Sequence, residues 1–213
     1  MDFQELSLAV QKGKVKQVQE LVNQGIDEGI SVEEILNKGL IEAMAVIGDN
    51  FKNNKIYVPE MLVAARAMSA GLIILEPLLT ATGVKPIGKI VIGTVRGDLH
   101  DIGKNLVAMM MKGIGATVYD LGIDVPDSAF LEKAEEVNAD IVCLSALLTT
   151  TMPAMDDIIR EFEKAGVRNK YRIMIGGAPV NQAYADSIGA DAYTQNASNA
   201  ADSAKEYLQS LHR

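Results

Sequence analysis

Residues 93 to 105 read Gly-Thr-Val-Arg-Gly-Asp-Leu-His-Asp-Ile-Gly-Lys-Asn. A β-branched apolar run at residues 89–95 leads into this stretch, and a helix-like run at 104–112 leaves it. Strand, polar glycine-containing loop and helix in that order describe the first unit of a parallel α/β sheet. Such a sheet takes its ligand beyond the carboxyl ends of its strands. The loop carries His100, one of 2 histidines in the chain, with Asp98 two residues before it and Gly103 three after.

Downstream the same alternation repeats. Strands are predicted at 89–95, 116–121, 141–145, 172–176 and 192–193, with helices at 103–113, 127–137, 152–165, 180–188 and 199–211. Parallel neighbours require crossovers, so these βα repeats imply a doubly wound parallel sheet of five strands. Right-handed crossovers leave few topologies. A flavodoxin-like, or Rossmann-like, order 2-1-3-4-5 fits, with the switch point beside the first strand.

Upstream the pattern is helical. Residues 2–12 and 14–28 are amphipathic, broken by Gly13 and closed by Gly29. Ser31-x-x-Glu34 reads as a capping box, the serine accepting a first-turn amide while the glutamate reaches back. It opens a helix ending near Asn53-Asn54. Pro59, tolerated in a first turn, marks the start of a helix over 58–82 that is apolar around most of its circumference. Four helices with short turns predict a four-helix bundle. The expected organisation is a helical cap domain at 1–83, a linker at 84–88 and an α/β domain at 89–213.

Composition narrows the function. The 213 residues suffice for two small domains, and 48% are hydrophobic. A net charge of -8 argues against nucleic acid, which asks for a basic face. No amino-terminal segment suits a signal peptide and no 18-residue run suits a membrane span, so no membrane and a cytoplasmic address are expected. The single Cys143, inside Ile-Val-Cys-Leu, reads as a buried strand residue, which excludes an internal disulfide and a cysteine-rich zinc site.

His100 is either a loop histidine paired with Asp98 or Asp101 or a metal ligand whose other ring nitrogen binds the Asp98 carboxylate. His212, beside the terminus, is expected to be solvated. One histidine is too few for zinc or iron, which need three or four protein ligands. It is enough for a metal whose other positions a macrocycle fills. Neither a Gly-x-Gly-x-x-Gly nor a Walker-type loop occurs, so a dinucleotide is a poor fit. Gly97 and Gly103 would let the backbone approach something large and flat.

The loop after the third strand, Ser145-Ala-Leu147-Leu-Thr149-Thr150-Thr151-Met-Pro153, could be a helix start with Thr151 as N-cap. Its hydroxyls would also suit a polar ligand group in a slot. Gly176-Gly177-Ala178 after the fourth strand is either a tight turn or the side-chain-free wall of that slot.

Asp98-Leu99-His100-Asp101-Ile102-Gly103, with Ser145-x-Leu147 and Gly176-Gly177 at these intervals, resembles the cobalamin-binding module of methionine synthase. It is closer still to the corrinoid proteins of methanol- and methylamine-type methyltransferase systems, and the likeness covers nearly the whole chain. Phe51 and Tyr57-Val58-Pro59-Glu60-Met61-Leu62 resemble the cap helices of those proteins. The resemblance implies cobalamin (methylcobalamin or a related corrinoid) bound base-off, with His100 as the lower cobalt ligand. Asp98 would bond the far nitrogen of His100, and Thr151 would stand where methionine synthase completes that relay with a serine. Gly97 to Gly103, Ser145, Leu147, Thr149, Gly176, Gly177 and Ala178 would contact the cofactor and house its nucleotide tail. Phe51, Val58, Met61 and Leu62 would shield the upper face, with Gly83–Pro86 as hinge.

The function so implied is a methyl carrier rather than a complete enzyme, since cap, linker and α/β domain consume the chain. Its partners would be a substrate-specific corrinoid methyltransferase, a second methyltransferase using tetrahydrofolate or coenzyme M, and a reductive activator. Loss of the methyl would be coupled to proton uptake at the His100–Asp98 pair. Three alternatives share parts of the pattern. An adenosylcobalamin mutase subunit has the same loop but no such helical cap, and a corrinoid-sensing regulator lacks here a basic helix-turn-helix segment. The third is a flavodoxin-like interaction domain without cofactor.

Overall fold

The computed structural model describes residues 1–82 and 85–211. Gly83 and Val84, of the expected hinge at 83–86 and linker at 84–88, and His212 beside the terminus lie outside the described residues. The chain forms two compact units. The first is Met1–Pro86 together with Gly113–Gly115, and the second holds Ile87–Lys112 and the chain from Ala116 on.

In the first unit, α1 spans Phe3–Gln11 and α2 Val15–Asp27, with Asp2 capping α1 by accepting from Gln4 N. α3 is continuous through Val32–Glu34, a π-helical Ile35–Ile41, and Glu42–Lys52. α4 runs Val58–Thr82. Ser31 caps α3 as expected, accepting from Glu34 N at 3.2 Å. The glutamate does not complete the reciprocal bond: its carboxylate lies 3.3 Å from the Ser31 hydroxyl and 2.7 Å from Lys38 Nζ. The π-helical segment is unforeseen by the sequence, which predicted one plain helix from Ser31 to near Asn53. It sits where Gly39 meets Leu6 so closely that a Cβ would lie 2.4 Å from Leu6 Cδ2. At the start of α4, Tyr57 N donates to Glu60 Oε2, and Asn54 takes the left-handed turn that ends α3.

One expectation needs correction. Val58–Leu79 is, by length and composition alone, long and apolar enough to cross a membrane. Its Met61, Ala64, Ala65, Met68 and Leu75 are nevertheless buried, and α4 packs on α1, α2 and α3. Only 33% of its most apolar window is buried, however, and Leu62, Val63, Ile73 and Leu78 are exposed, where a helix apolar around most of its circumference was expected to be buried in a bundle.

The second unit is the doubly wound sheet. β1 is Lys89–Thr94, α5 Ile102–Gly113, β2 Thr117–Asp120, α6 Asp127–Val137 and β3 Ile141–Ser145. Then follow α7 Pro153–Lys164, a 3-10 turn at Arg168–Lys170, β4 Arg172–Gly176, α8 Gln182–Ile188, β5 Ala192–Tyr193 and α9 Ala197–Leu211. The strand order is β2-β1-β3-β4-β5, all parallel. Both faces are covered, which is why β1, β3 and β4 read as near-continuous apolar runs. Val91, Val142 and Ile173 join the core of Phe130, Ile158 and Phe162. On that face Gly93 makes room for Phe130, whose ring atoms would lie 2.8 Å from a Cβ there. Register brings Thr94, Ser145 and Gly176 side by side at the carboxyl edge.

Candidate functional site

The site grows from that edge. Beyond β1 the chain turns at Gly97, whose φ of +82° is open to glycine and costly elsewhere. The turn sends Asp98 inward and His100 outward. The Asp98 side chain is 0% exposed, whereas that of His100 is 51% exposed. Asp98 Oδ1 accepts from His100 N at 3.0 Å and lies 2.7 Å from His100 Nδ1. Asp98 Oδ2 accepts from Leu147 N at 2.7 Å, Leu148 N at 3.3 Å and the Thr151 hydroxyl at 2.7 Å. Thr94 Oγ1, itself buried, donates to His100 O at 2.9 Å and ties down the far side of the loop.

Burial alone would raise the Asp98 pKa. The hydrogen bonds from Leu147 N, His100 N, the Thr151 hydroxyl and the His100 ring outweigh it and hold the carboxyl well below the usual carboxylate range. The group is therefore a fixed anion at neutral pH. An anion against Nδ1 keeps a proton on that nitrogen and leaves Nε2 with a lone pair able to bind a metal.

Thr151, for which the sequence allowed either a helix cap or a place in a relay with Asp98, joins the site through a long-range hydrogen bond. It is not the N-cap of α7: Met152 holds that position in helical conformation, with Pro153 as the first residue. The hydroxyl instead donates to Asp98 and lies 2.9 Å from Leu148 O. A threonine before a helix reads as a cap because capping is local, whereas this partner is 53 residues away in the chain.

The remaining predicted residues sort into three groups. Leu99 (67% exposed), Ile102 (78%) and Leu147 are exposed apolar side chains of the segments after β1 and β3, as are Leu148 and, after β2, Ile123, which the sequence reading missed. Gly103 lies in the first turn of α5, and a Cβ there would meet nothing within 4 Å. Asp101 immediately precedes α5, its carbonyl accepting from Asn105 N and its carboxylate from Asn105 Nδ2. Ser145 ends β3 half-buried, and Thr149 and Ala178 are exposed. Gly176 is half-buried, and a Cβ there would meet Thr194 O at 3.8 Å, an ordinary van der Waals contact. Gly177 has a different reason. A Cβ on it would stand 1.8 Å from Ala146 O, so its bareness serves the chain's own packing. In the helical unit Phe51 and Val58 are half-buried, Leu62 is exposed, and Met61 is fully buried. Also unforeseen is Lys104, 3% exposed, whose ammonium meets Asp120 Oδ2 at 2.5 Å and Asn105 Oδ1 at 2.7 Å.

Among the described residues no three His, Cys, Asp or Glu gather to hold a metal ion. Cys143 is buried and its thiol pushed up to about 12 by burial, so it is no ligand. One outward imidazole on a fixed carboxylate, with exposed apolar side chains in the adjoining loops and a glycine at 103 facing open space, fits a metal that brings its own planar ring.

Comparison with known proteins bears on this directly. Residues 88–204 match a family described as B12 binding domain, and residues 2–76 match a second family of the same description. The chain is 46% identical to dimethylamine corrinoid protein 2 of Methanosarcina acetivorans over 97% of its length and 95% of the relative's. The methanol:cobalamin methyltransferase complex of Methanosarcina barkeri contains a chain that is 26% identical. There 97% of this chain and 79% of that one superpose with a TM-score of 0.88. A cobalamin-binding protein of Desulfitobacterium hafniense DCB-2 is 29% identical over 97% of this chain and 98% of its own, with a TM-score of 0.78. The chain belongs to the B12-binding family of corrinoid proteins, and its cofactor is a corrinoid of the cobalamin type with cobalt at its centre.

Proposed function

We propose that the protein is a methyl carrier that binds its corrinoid base-off with His100 as the lower cobalt ligand. The observation that carries this is the outward imidazole held through Nδ1 on Asp98, a carboxylate fixed by three donors from the loop after β3. When bound, the corrinoid supplies a cobalt centre able to accept a methyl group and give it up. The chain's own residues do the rest. His100 presents Nε2, Asp98 keeps the Nδ1 proton in place, and Thr151 with the Leu147 and Leu148 amides keeps Asp98 ionised and aimed. Leu99, Ile102, Leu147, Leu148 and Ile123 would exclude water beneath the ring, while Gly103 and Gly176 leave it room. Ser145, Thr149 and Ala178, with the backbone at Gly177, would line the slot for the nucleotide tail. Phe51, Val58, Met61 and Leu62 are proposed to shield the methyl from solvent.

The carrier would work in the cytoplasm between two enzymes. A corrinoid methyltransferase specific for a methylated amine would load it, the donor class being supported by the dimethylamine corrinoid proteins. A second methyltransferase would pass the methyl to tetrahydrofolate or coenzyme M, and a reductive activator would rescue oxidised cobalt. The test is direct. Wild type and His100→Ala are incubated with hydroxocobalamin, dialysed, and their visible spectra recorded. Wild type should stay coloured with a histidine-ligated spectrum and His100→Ala should not show it. A colourless wild type sinks the reading.

A further inference from the structure

The loop after β2 has no part in the function as argued so far, yet it is joined to the histidine loop along its length. Thr94 N donates to Gly122 O and Val125 N to Thr94 O, each at 3.0 Å, and Val95 pairs with Val125 in a parallel bridge. Beyond that bridge a single residue makes the connection. Asp124 Oδ1 accepts from Gly97 N at 2.7 Å, and Asp124 N donates to Asp98 O at 3.0 Å. Two hydrogen bonds thus bracket the Gly97–Asp98 pair at the turn that sends one side chain in and the next but one out.

Asp124 is exposed and holds a φ of +49°, one of only 3 non-glycine residues with positive φ among those described. That conformation is disfavoured for any residue with a Cβ and persists where the surroundings enforce it. Burial does not enforce it here; the paired bonds to Gly97 and Asp98 do.

We propose that Asp124 is a positioning residue for the cobalt ligand. By clamping the Gly97 and Asp98 backbone it sets where the Asp98 carboxylate starts from, and through it the direction of the His100 imidazole. The carboxylate end of Asp98 is already held by the loop after β3, so Asp124 supplies the second fixed point of the lever. This rests on the His-on reading above.

Three substitutions separate its contributions. Asp124→Gly keeps the left-handed turn and removes the acceptor, Asp124→Asn keeps both, and His100→Ala is the reference for an absent ligand. Each full-length protein is loaded with cobalamin and reduced to cobalt(II), and the nitrogen hyperfine splitting in its electron paramagnetic resonance spectrum gives the histidine-ligated fraction. Asp124→Gly should lower the ratio of histidine-ligated to histidine-free cobalt roughly three- to tenfold, the span of one lost hydrogen bond. Asp124→Asn should restore it. An Asp124→Gly ratio equal to wild type, or an Asp124→Asn protein as poor as Asp124→Gly, overturns the positioning role. Absence of nitrogen splitting in wild type overturns the His-on reading and this inference with it, so the two failures are distinct. Should Asp124→Gly lose the corrinoid altogether, histidine nitrogen-15 shifts of the cofactor-free protein still report the tautomer. A drift from the Nδ1–H form supports the role, and an unchanged tautomer overturns it.

Discussion

The loops that follow β1 and β4 leave the same edge of one sheet but are shaped by opposite means. The loop after β1 is held by polar side chains: Asp98 reaches three donors beyond β3, Thr94 at the end of β1 donates to the His100 carbonyl, and Asp124, from the loop after β2, accepts from Gly97 N. The loop after β4 is shaped by what is missing, since Gly177, at φ +139°, lies where any Cβ would stand 1.8 Å from Ala146 O. The two meet on consecutive peptide units. Ala146 N donates to Gly176 O at 3.2 Å, and the next amide, Leu147 N, donates to Asp98. A steric constraint thus sets the donor that fixes the carboxylate.

The hardest test of that link is Gly177→Ala. With backbone rather than a flexible side chain in the way, strand β4 or the Ala146 peptide must move, at a cost of about 4 kcal/mol or more. Urea denaturation should show it, and corrinoid retention should fall with it although Gly177 carries no side chain to touch a ligand. A near-normal urea midpoint would uncouple the two loops.

Next in size is Asp98→Ala, which strands the Leu147 amide and the Thr151 hydroxyl in a buried site and should cost about 3 kcal/mol. The pH dependence has a definite sign. The folded pKa of Asp98 lies below its unfolded value of about 4, so its contribution is complete above that pH. It is lost as pH falls through the folded value. Wild type should therefore lose more stability than Asp98→Asn between pH 5 and acid pH, measured as the shift of the urea midpoint. Parallel losses would show that the carboxylate is not the group responsible.

Thr151→Val is the gentler version: it keeps the shape and removes one donor to Asp98, for about 1 kcal/mol, and Thr151→Ser should recover it. If serine fails to recover the histidine-ligated spectrum, the threonine methyl and not its hydroxyl matters.

How far these features could be read in advance depended on how local their causes are. The run Ile-Val-Cys-Leu-Ser at β3 is apolar because both faces of the strand are covered, so the strand and the 2-1-3-4-5 order were legible. So were Asp98 and His100, because a carboxylate two residues from an imidazole is a short-range signal. Thr151 was legible as a site residue only through resemblance; its local pattern equally allowed a cap, because the partner its hydroxyl meets is distant in the chain. Asp124 was invisible because Gly122-Ile-Asp124 resembles any turn. Its use is set by Gly97, which joins it only after β1 and β2 pair. The π-helical Ile35–Ile41 was equally hidden, its setting including the close approach of Leu6 to Gly39.

The smallest effect on the fold is the most informative about the ligand. Gly103→Ala places a Cβ where the protein has no atom within 4 Å, in the first turn of a helix that alanine favours over glycine. Stability should therefore be unchanged or rise by up to about 1 kcal/mol. Corrinoid affinity should nonetheless fall, because the emptiness beside His100 has no cause within the chain and would be the space the ring occupies. Gly177→Ala loses both properties together, whereas Gly103→Ala should separate them, with a raised thermal midpoint and weaker retention of cobalamin on dialysis. Undiminished retention would mean that the ring lies elsewhere along the edge, toward Gly176, and that the glycine at 103 serves only the turn into α5.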